Sequence, residues 1–339
     1  MSALQDASSN PRWNLVADIG GTNARFSAVL EGQLESEHEF HHSVEEYPEF
    51  AGLIGGLLAE IAEATGWNNT PVNACFAVAC PADTDVIAFT NSHWKFTKTS
   101  LQQALGCENL AVINDFEAVA HGIIELGEAD LVQVGGQLPI AHKAIGILGA
   151  GTGLGVAGLV QHSDGYHVLD TEGGHADYAP IDEIQSAVVN CLRETYGRVS
   201  LERLLSGKGL LNIYTALCTI EGVDAVFTTP AEVVAGALGS ADSDTDSEID
   251  AKALQTLNMF CEGMGSAAGN LALTLGAKGG IYIAGGVIPR FQEFFINSGF
   301  RSKFEDKGRF VSYLQPIPVY IVIRSNLGLL GAAKKLQQI

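Results

Sequence analysis

The stretch Asn14–Leu30, NLVADIGGTNARFSAVL, sets the reading of the whole chain. A short apolar run stops at Gly20-Gly21 and resumes as alternating apolar and polar residues, which predicts two strands joined by a glycine turn. The same pattern returns in Ala144–His162, AIGILGAGTGLGVAGLVQH, where Gly151-Thr152 lies 130 residues after Gly21-Thr22. Two such units in 339 residues predict a duplicated α/β architecture, with two lobes facing a common cleft.

Between and beyond these stretches the periodicities alternate. Tyr47–Gly66 has helical spacing, Val72–Ala79 is strand-like, and Leu101–Gly106 ends a helix. Leu110–Ile113 is an apolar strand that runs directly into Asn114 and Asp115. Helical patterns follow at Ile184–Tyr196, Leu201–Leu205 and Leu254–Leu275, and strands at Gly280–Ala284 and Val319–Ile323, before a C-terminal helix from Leu327. Residues 1–12 read as a flexible arm, 13–125 as a small α/β domain, 126–323 as a large one, and 324–339 as a helix returning to the first.

Composition narrows the possible partners. With 19 Lys and Arg against 39 Asp and Glu, a formal charge of −20 repels nucleic acid and anionic membranes, so neither is expected as a partner. The uncharged stretch Ala144–Val160 is shorter than a membrane span and is broken by six glycines. The six cysteines are scattered without a CxxC pair, which fits reduced thiols in the cytoplasm.

Several groups carry candidate chemistry. A phosphate is cradled by backbone N–H groups in a tight turn where a Cβ would intrude, and both glycine turns qualify. Gly153, Gly155 and Gly158 satisfy GxGxxG, but a strand-like segment follows where a dinucleotide fold needs a helix. Gly207-Lys208 is followed by Gly209 rather than Ser or Thr, so it is not a P-loop. Asp18 ends a buried strand, where a carboxylate is costly unless it meets a cation or accepts hydrogen bonds; Mg2+ held through water and a hydrogen-bonded turn are both open. Asp115 can accept the proton of a hydroxyl beside the donor and acceptor of Asn114, or it can cap a helix beginning at Phe116. Around two glycines, Glu172 and His175 can converge while the backbone approaches a ligand. His38, His41 and His42 read as exposed strand histidines rather than metal ligands. The acidic run Asp242, Asp244, Asp246 and Glu248 lacks a calcium loop's glycine and has Ala253 where its glutamate belongs, so a loop before a helix is expected, with Ser247 and Asp250 near capping positions.

Taken together, ADIGGTNAR at Ala17–Arg25, INDFEAVA at Ile113–Ala120, GAGTGLGVA at Gly149–Ala157, EGGH at Glu172–His175, IAGGVIPRF at Ile283–Phe291 and FEDKGRF at Phe304–Phe310 resemble the bacterial glucokinase family. That family sits in the hexokinase, actin and Hsp70 superfamily, and the resemblance implies a two-lobed actin-like, ribonuclease H-like α/β fold with a sugar and ATP cleft. It implies that Asn114, Asp115, Glu172, His175 and Glu202 hold glucose, with Asp115 as the base. Ala17, Asp18, Ile19, Gly20, Gly21 and Thr22 would hold ATP phosphates together with Gly149, Gly151, Thr152 and Gly153. Gly285 and Gly286 would border adenine, and Asp18 would hold Mg2+. A homodimer is what the family suggests. Related repressor and kinase proteins carry a zinc cluster of cysteines soon after ExGH; no cysteine stands here between His175 and Cys191, which points to the zinc-free branch. Other readings are a kinase of another hexose or amino sugar, a sugar-sensing protein without turnover, and an actin-like or chaperone ATPase.

Overall fold

A computed structural model describes residues 10–89, 92–163, 165–239 and 249–339, and the chain divides into two compact units. The first unit comprises residues 10–126 together with Arg324–Ile339, and the second is Gly127–Ile323.

The opening hairpin is β1 (Trp13–Ile19) and β2 (Asn23–Leu30), followed by β3 (Glu39–Ser43), α1 (Phe50–Thr65) and β4 (Asn73–Val78). Then come β5 (Val86–Ala88), β6 (Lys95–Thr97), α2 (Lys98–Leu105), β7 (Asn109–Asn114) and α3 (Asp115–Ile123). The main sheet runs β3-β2-β1-β4-β7, with β1, β4 and β7 parallel. Strand alternation sorts its side chains to two faces. Leu15, Ala17 and Ile19 join a core with Phe26, Phe50 and Phe76, whereas Val16 joins Cys75, Ala77 and Ala118.

In the second unit β8 (Leu131–Gln133) precedes the hairpin of β9 (Ile145–Ala150) and β10 (Leu154–His162), then β11 (Gly165–Thr171). Helices α4 (Glu183–Tyr196), α5 (Leu201–Leu204), α6 (Gly207–Glu221), α7 (Pro230–Leu238) and α8 (Ala251–Leu275) follow. The unit ends with β12 (Ile281–Ala284), the short helices α9 (Gln292–Asn297), α10 (Phe300–Glu305) and α11 (Val311–Leu314), and β13 (Val319–Val322). Its sheet order is β11-β10-β9-β12-β13-β8. Leaving out the edge strand β8, this repeats the order of the first sheet: two antiparallel hairpin pairings, then two parallel ones. The duplication read from the two glycine turns is therefore a duplication of topology.

Helix α12 (Leu327–Leu336) belongs to the first unit, where Leu329, Ala332 and Ala333 share a core with Val16 and Ala118. It crosses α3 closely: a Cβ on Gly331 would run into the Ala118 carbonyl, and one on Gly122 into Leu327. Beside this contact Lys335 Nζ donates to Glu117 Oε1 at 3.0 Å, and His121 Nε2 lies 3.6 Å from the same oxygen.

Some sequence readings need correction. Helices α6 and α7 add to those expected; their apolar spacing, Leu210, Ile213, Tyr214 and Leu217 in α6 and Val233 and Ala237 in α7, follows the caps Ser206 and Thr229. Of the three histidines expected to be exposed on a strand, only His41 is exposed; His38 precedes β3 and stands edge-on to Trp67, and His42 is packed against Phe26 and Tyr47. Positions 1–9 of the expected arm and the acidic run 242–248 lie outside the described residues, while Arg12 is tied to Glu31 at 2.6 Å. Asp250 caps α8, accepting from Ala253 N–H at 2.7 Å. Among the described residues no helix is long and apolar enough to cross a membrane.

Burial opposes ionisation of Glu117, but the nearby His121 and the hydrogen bond and charge of Lys335 outweigh it and hold its carboxyl below the ordinary value. The stabilisation is therefore complete above the unfolded-state pKa and is lost as pH falls through the lower folded-state pKa. Glu117→Gln is expected to cost about 1–3 kcal/mol at neutral pH. Urea unfolding of variant and parent should show that gap closing in the acid range.

Candidate active site

In the first unit the candidate groups hang from one edge of the sheet. Pairing aligns Ile19 with Val78 and Val78 with Asn114, so β1, β4 and β7 finish level. Asp18, level with Ile113, and Asp115, two residues further along, thus stand near the ends of strands about 10 Å apart across the sheet, two strand spacings. The turn after β1 is held by Gly20 N–H to the Asn23 carbonyl at 2.9 Å, and Ala79 N–H binds the Ile19 carbonyl at 3.0 Å.

The cap of α3 is Asn114 and not Asp115: Asn114 Oδ1 accepts from Phe116 N–H at 2.8 Å. Asp115 is the first helical residue, where the helix dipole favours a carboxylate. Burial first and then the charge of Asp115 push the Cys80 thiol up, which puts this carboxylate within electrostatic reach of β4's end.

Asp18 is partly buried, with Arg25 Nη1 3.9 Å away. Burial pushes its carboxyl up, and Arg25 offsets that only in part. Gly328, in the first turn of α12, lies against it; a Cβ there would stand 2.7 Å from Asp18 Oδ2. The sequence reading missed this glycine, for its only signal is being one of two glycines in the last helix.

In the second unit the turn from Ala150 to Leu154 is gripped by three hydrogen bonds from two distant segments. Gly207 N–H donates to the Gly151 carbonyl at 2.8 Å, and Val287 N–H to the Ala150 carbonyl at 3.1 Å. Glu202 Oε2 accepts from Leu154 N–H at 3.0 Å. The parallel pairing of β9 with β12 aligns Ala284 with Gly149, so the Gly285-Gly286 turn follows beside the Gly151 turn. The Ser206–Gly209 segment is thus a support for the turn, and its glycine at 209 is explained by the Leu204 backbone, which a Cβ would strike.

Glu172 and His175 do converge, with His175 Nε2 3.8 Å from Glu172 Oε2 and both side chains largely exposed. The glycines between them have a cause inside the fold: a Cβ on Gly173 would meet Val156 at 2.9 Å, and one on Gly174 the Leu154 carbonyl. The backbone here closely approaches β10. A cavity of about 350 Å³ elsewhere in the first unit, lined by Phe50, His93, Trp94 and Phe96 among others, includes none of the candidate residues.

By contrast, Gly151 and Gly286 have ordinary φ and open space where a Cβ would sit, and at Gly20 the nearest atom would be 3.6 Å off. The fold does not itself require glycine at these three positions.

Two sheets of repeated order, each with a glycine turn at its leading hairpin, make an α/β fold whose solved neighbours are sugar kinases. A solved glucokinase from an Antarctic psychrotroph is 32% identical, covers 96% of this chain and 99% of its own, and superposes with a TM-score of 0.81. The same fold is seen in a Streptomyces griseus ROK family glucokinase, solved in complex with glucose and AMPPNP, at 18% identity and TM-score 0.61, with 96% and 100% of the two chains covered. In sequence, the Glucokinase family model matches residues 15–339. A curated glucokinase of Hahella chejuensis is 44% identical over 97% of this chain and 98% of its own, and one of Klebsiella pneumoniae is 44% identical over 96% and 98%. The chain belongs to the glucokinase family, the ATP-dependent hexose kinases.

Gly285 has φ +90°, and a Cβ on it would collide with the backbone of Ala150. Gly285→Ala is expected to lose about 1–3 kcal/mol of stability, whereas Gly286→Ala, entering open space, should stay within about 0.5 kcal/mol. Chemical denaturation of the two variants side by side measures the contrast.

Proposed function

We propose that this chain transfers the γ-phosphoryl group of ATP to O6 of D-glucose, giving glucose 6-phosphate and ADP. Asp115 supports this most directly. With the cap assigned to Asn114, its carboxylate starts a helix at the end of β7, the parallel strand at the edge of the sheet, where it can take the hydroxyl proton as O6 attacks. Asn114 spends its oxygen on the cap and has its –NH2 group to offer a sugar hydroxyl. Glu172, His175 and the remaining oxygen of Glu202 would accept or donate to other hydroxyls of the sugar.

The phosphates of ATP would lie on the Ala17–Thr22 and Gly149–Gly153 turns, with Gly285-Gly286 beside the adenine. Open space at Gly20, Gly151 and Gly286 supports this, because close approach of a ligand supplies the reason for glycine that the fold lacks. Asp18 fits Mg2+: Mg2+ keeps several waters and needs only one or two carboxylates beside the phosphates, and a desolvated carboxylate gains from a cation. When bound, Mg2+ neutralises charge on the β- and γ-phosphates. Unpaired cysteines, five of the six buried, suit a reducing cytoplasm.

Asp115→Asn should lower kcat by about 10²–10⁴-fold, the usual worth of a general base. An unchanged kcat in a coupled ADP-release assay on glucose, with fructose, mannose, N-acetylmannosamine and no-sugar controls, would remove Asp115 from that role. Gly151→Ala should leave unfolding unchanged yet raise KM for ATP by about tenfold or more, equivalent to ~1.4 kcal/mol of lost contact. Steady-state kinetics with ATP varied at saturating glucose reads it.

A further inference from the structure

Segment 200–207 touches two candidate regions at once. On one side it is joined to the residues that follow His175: Ser200 bridges Asp177, and Leu201 N–H donates to the Ala176 carbonyl at 2.8 Å. On the other it reaches the glycine turn twice, through Gly207 N–H to the Gly151 carbonyl and through Glu202 Oε2 to Leu154 N–H. The carboxylate's place is built into the turn. A Cβ on Gly153 would overlap Glu202 Oε2, so the glycine is what admits it, and Ser206 Oγ donates to the Glu202 carbonyl at 2.8 Å, fixing the short helix that carries it. A cluster that only presented Glu202 to a sugar would need none of this contact with Leu154.

We propose that Glu202 is a positioning residue for the nucleotide: its carboxylate sets the shape of the Gly151–Gly153 turn on which the phosphates of ATP would rest. This rests on the assignment of that turn to phosphate. A turn that must be ordered before it binds loses affinity by the fraction of time it is disordered, so removing its side-chain tether weakens binding without touching the ligand.

The test is binding of the non-hydrolysable analogue AMPPNP with Mg2+ in the absence of any sugar, by titration calorimetry. Glu202→Ala should weaken it about tenfold, the worth of one charge-assisted hydrogen bond to a loop that must be ordered. Glu202→Gln keeps an oxygen acceptor for Leu154 N–H and should stay within about threefold of the parent. Gly153→Ala displaces the carboxylate from the other side and should reproduce the loss, and the double variant Gly153→Ala with Glu202→Ala should be no weaker than either alone. Parental sugar-free affinity in Glu202→Ala, with only glucose binding impaired, would reduce Glu202 to a sugar ligand and overturn the proposal. Tighter AMPPNP binding in that variant would also overturn it, since the carboxylate would then compete with phosphate. If Glu202→Ala is too unstable to measure, Glu202→Asp, whose shorter side chain draws the carboxylate back from Leu154 N–H, decides by the same criterion. Parent protein that binds AMPPNP but does not phosphorylate glucose would defeat the proposed reaction and leave the Glu202 result standing.

Discussion

Parallel pairing fixes where the chemistry can be. In a parallel pair both chains run the same way, so their C-terminal ends emerge at one edge of the sheet, and loops leaving that edge are neighbours whatever their separation in sequence. In the first unit this brings the end of β1, with Asp18 and its glycine turn, level with the end of β7, with Asn114 and Asp115. In the second it sets the Gly151 turn beside Gly285-Gly286. The antiparallel hairpin partner of each leading strand keeps the turn short, so the N–H groups needed for an anion stay close together.

The two turns are held differently. The first is closed mainly by its own hairpin, through Gly20 and Asn23, with Asp18 beneath it against α12. The second depends on distant segments, Glu202, Gly207 and Val287, each supplying one hydrogen bond to a backbone group that would otherwise go unpaired. The glycines sort accordingly. Gly153, Gly173, Gly174, Gly207, Gly209 and Gly285 answer to close approach within the chain, and Gly328 to the carboxylate of Asp18. At Gly20, Gly151 and Gly286 no atom of the chain stands closer than 3.6 Å to where a Cβ would be.

Much of this was legible in the residues because it is local. Strand ends, glycine turns and the Asn114-Asp115 step are written as short-range changes of pattern, and the two hairpins came out as read. Helices α6 and α7 are written in the same local way, as Leu210, Ile213, Tyr214 and Leu217 behind the Ser206 cap and Val233 and Ala237 behind Thr229, although glycines placed for contacts with Leu204, Gly151 and Phe227 draw those stretches toward a loop reading. Gly173 and Gly174 carry a related ambiguity: a glycine records that something comes near, and the sequence does not say whether it is a ligand, another strand or both.

Sequence alone thus determined the two glycine hairpins, the carboxylates at strand ends and the family, since each rests on the identity and order of adjacent residues. The tertiary structure decided that Asn114 takes the helix cap beside Asp115, that Glu202 holds the second turn, and that Gly328 makes room for Asp18. The latter two are contacts between segments 48 and 310 residues apart, by their own numbering, and only the register of the sheets and the packing of helices on them brings such segments within reach. The cap needed geometry too, because two neighbouring residues were both chemically able to supply it, and the backbone's point of entry into the helix chose between them.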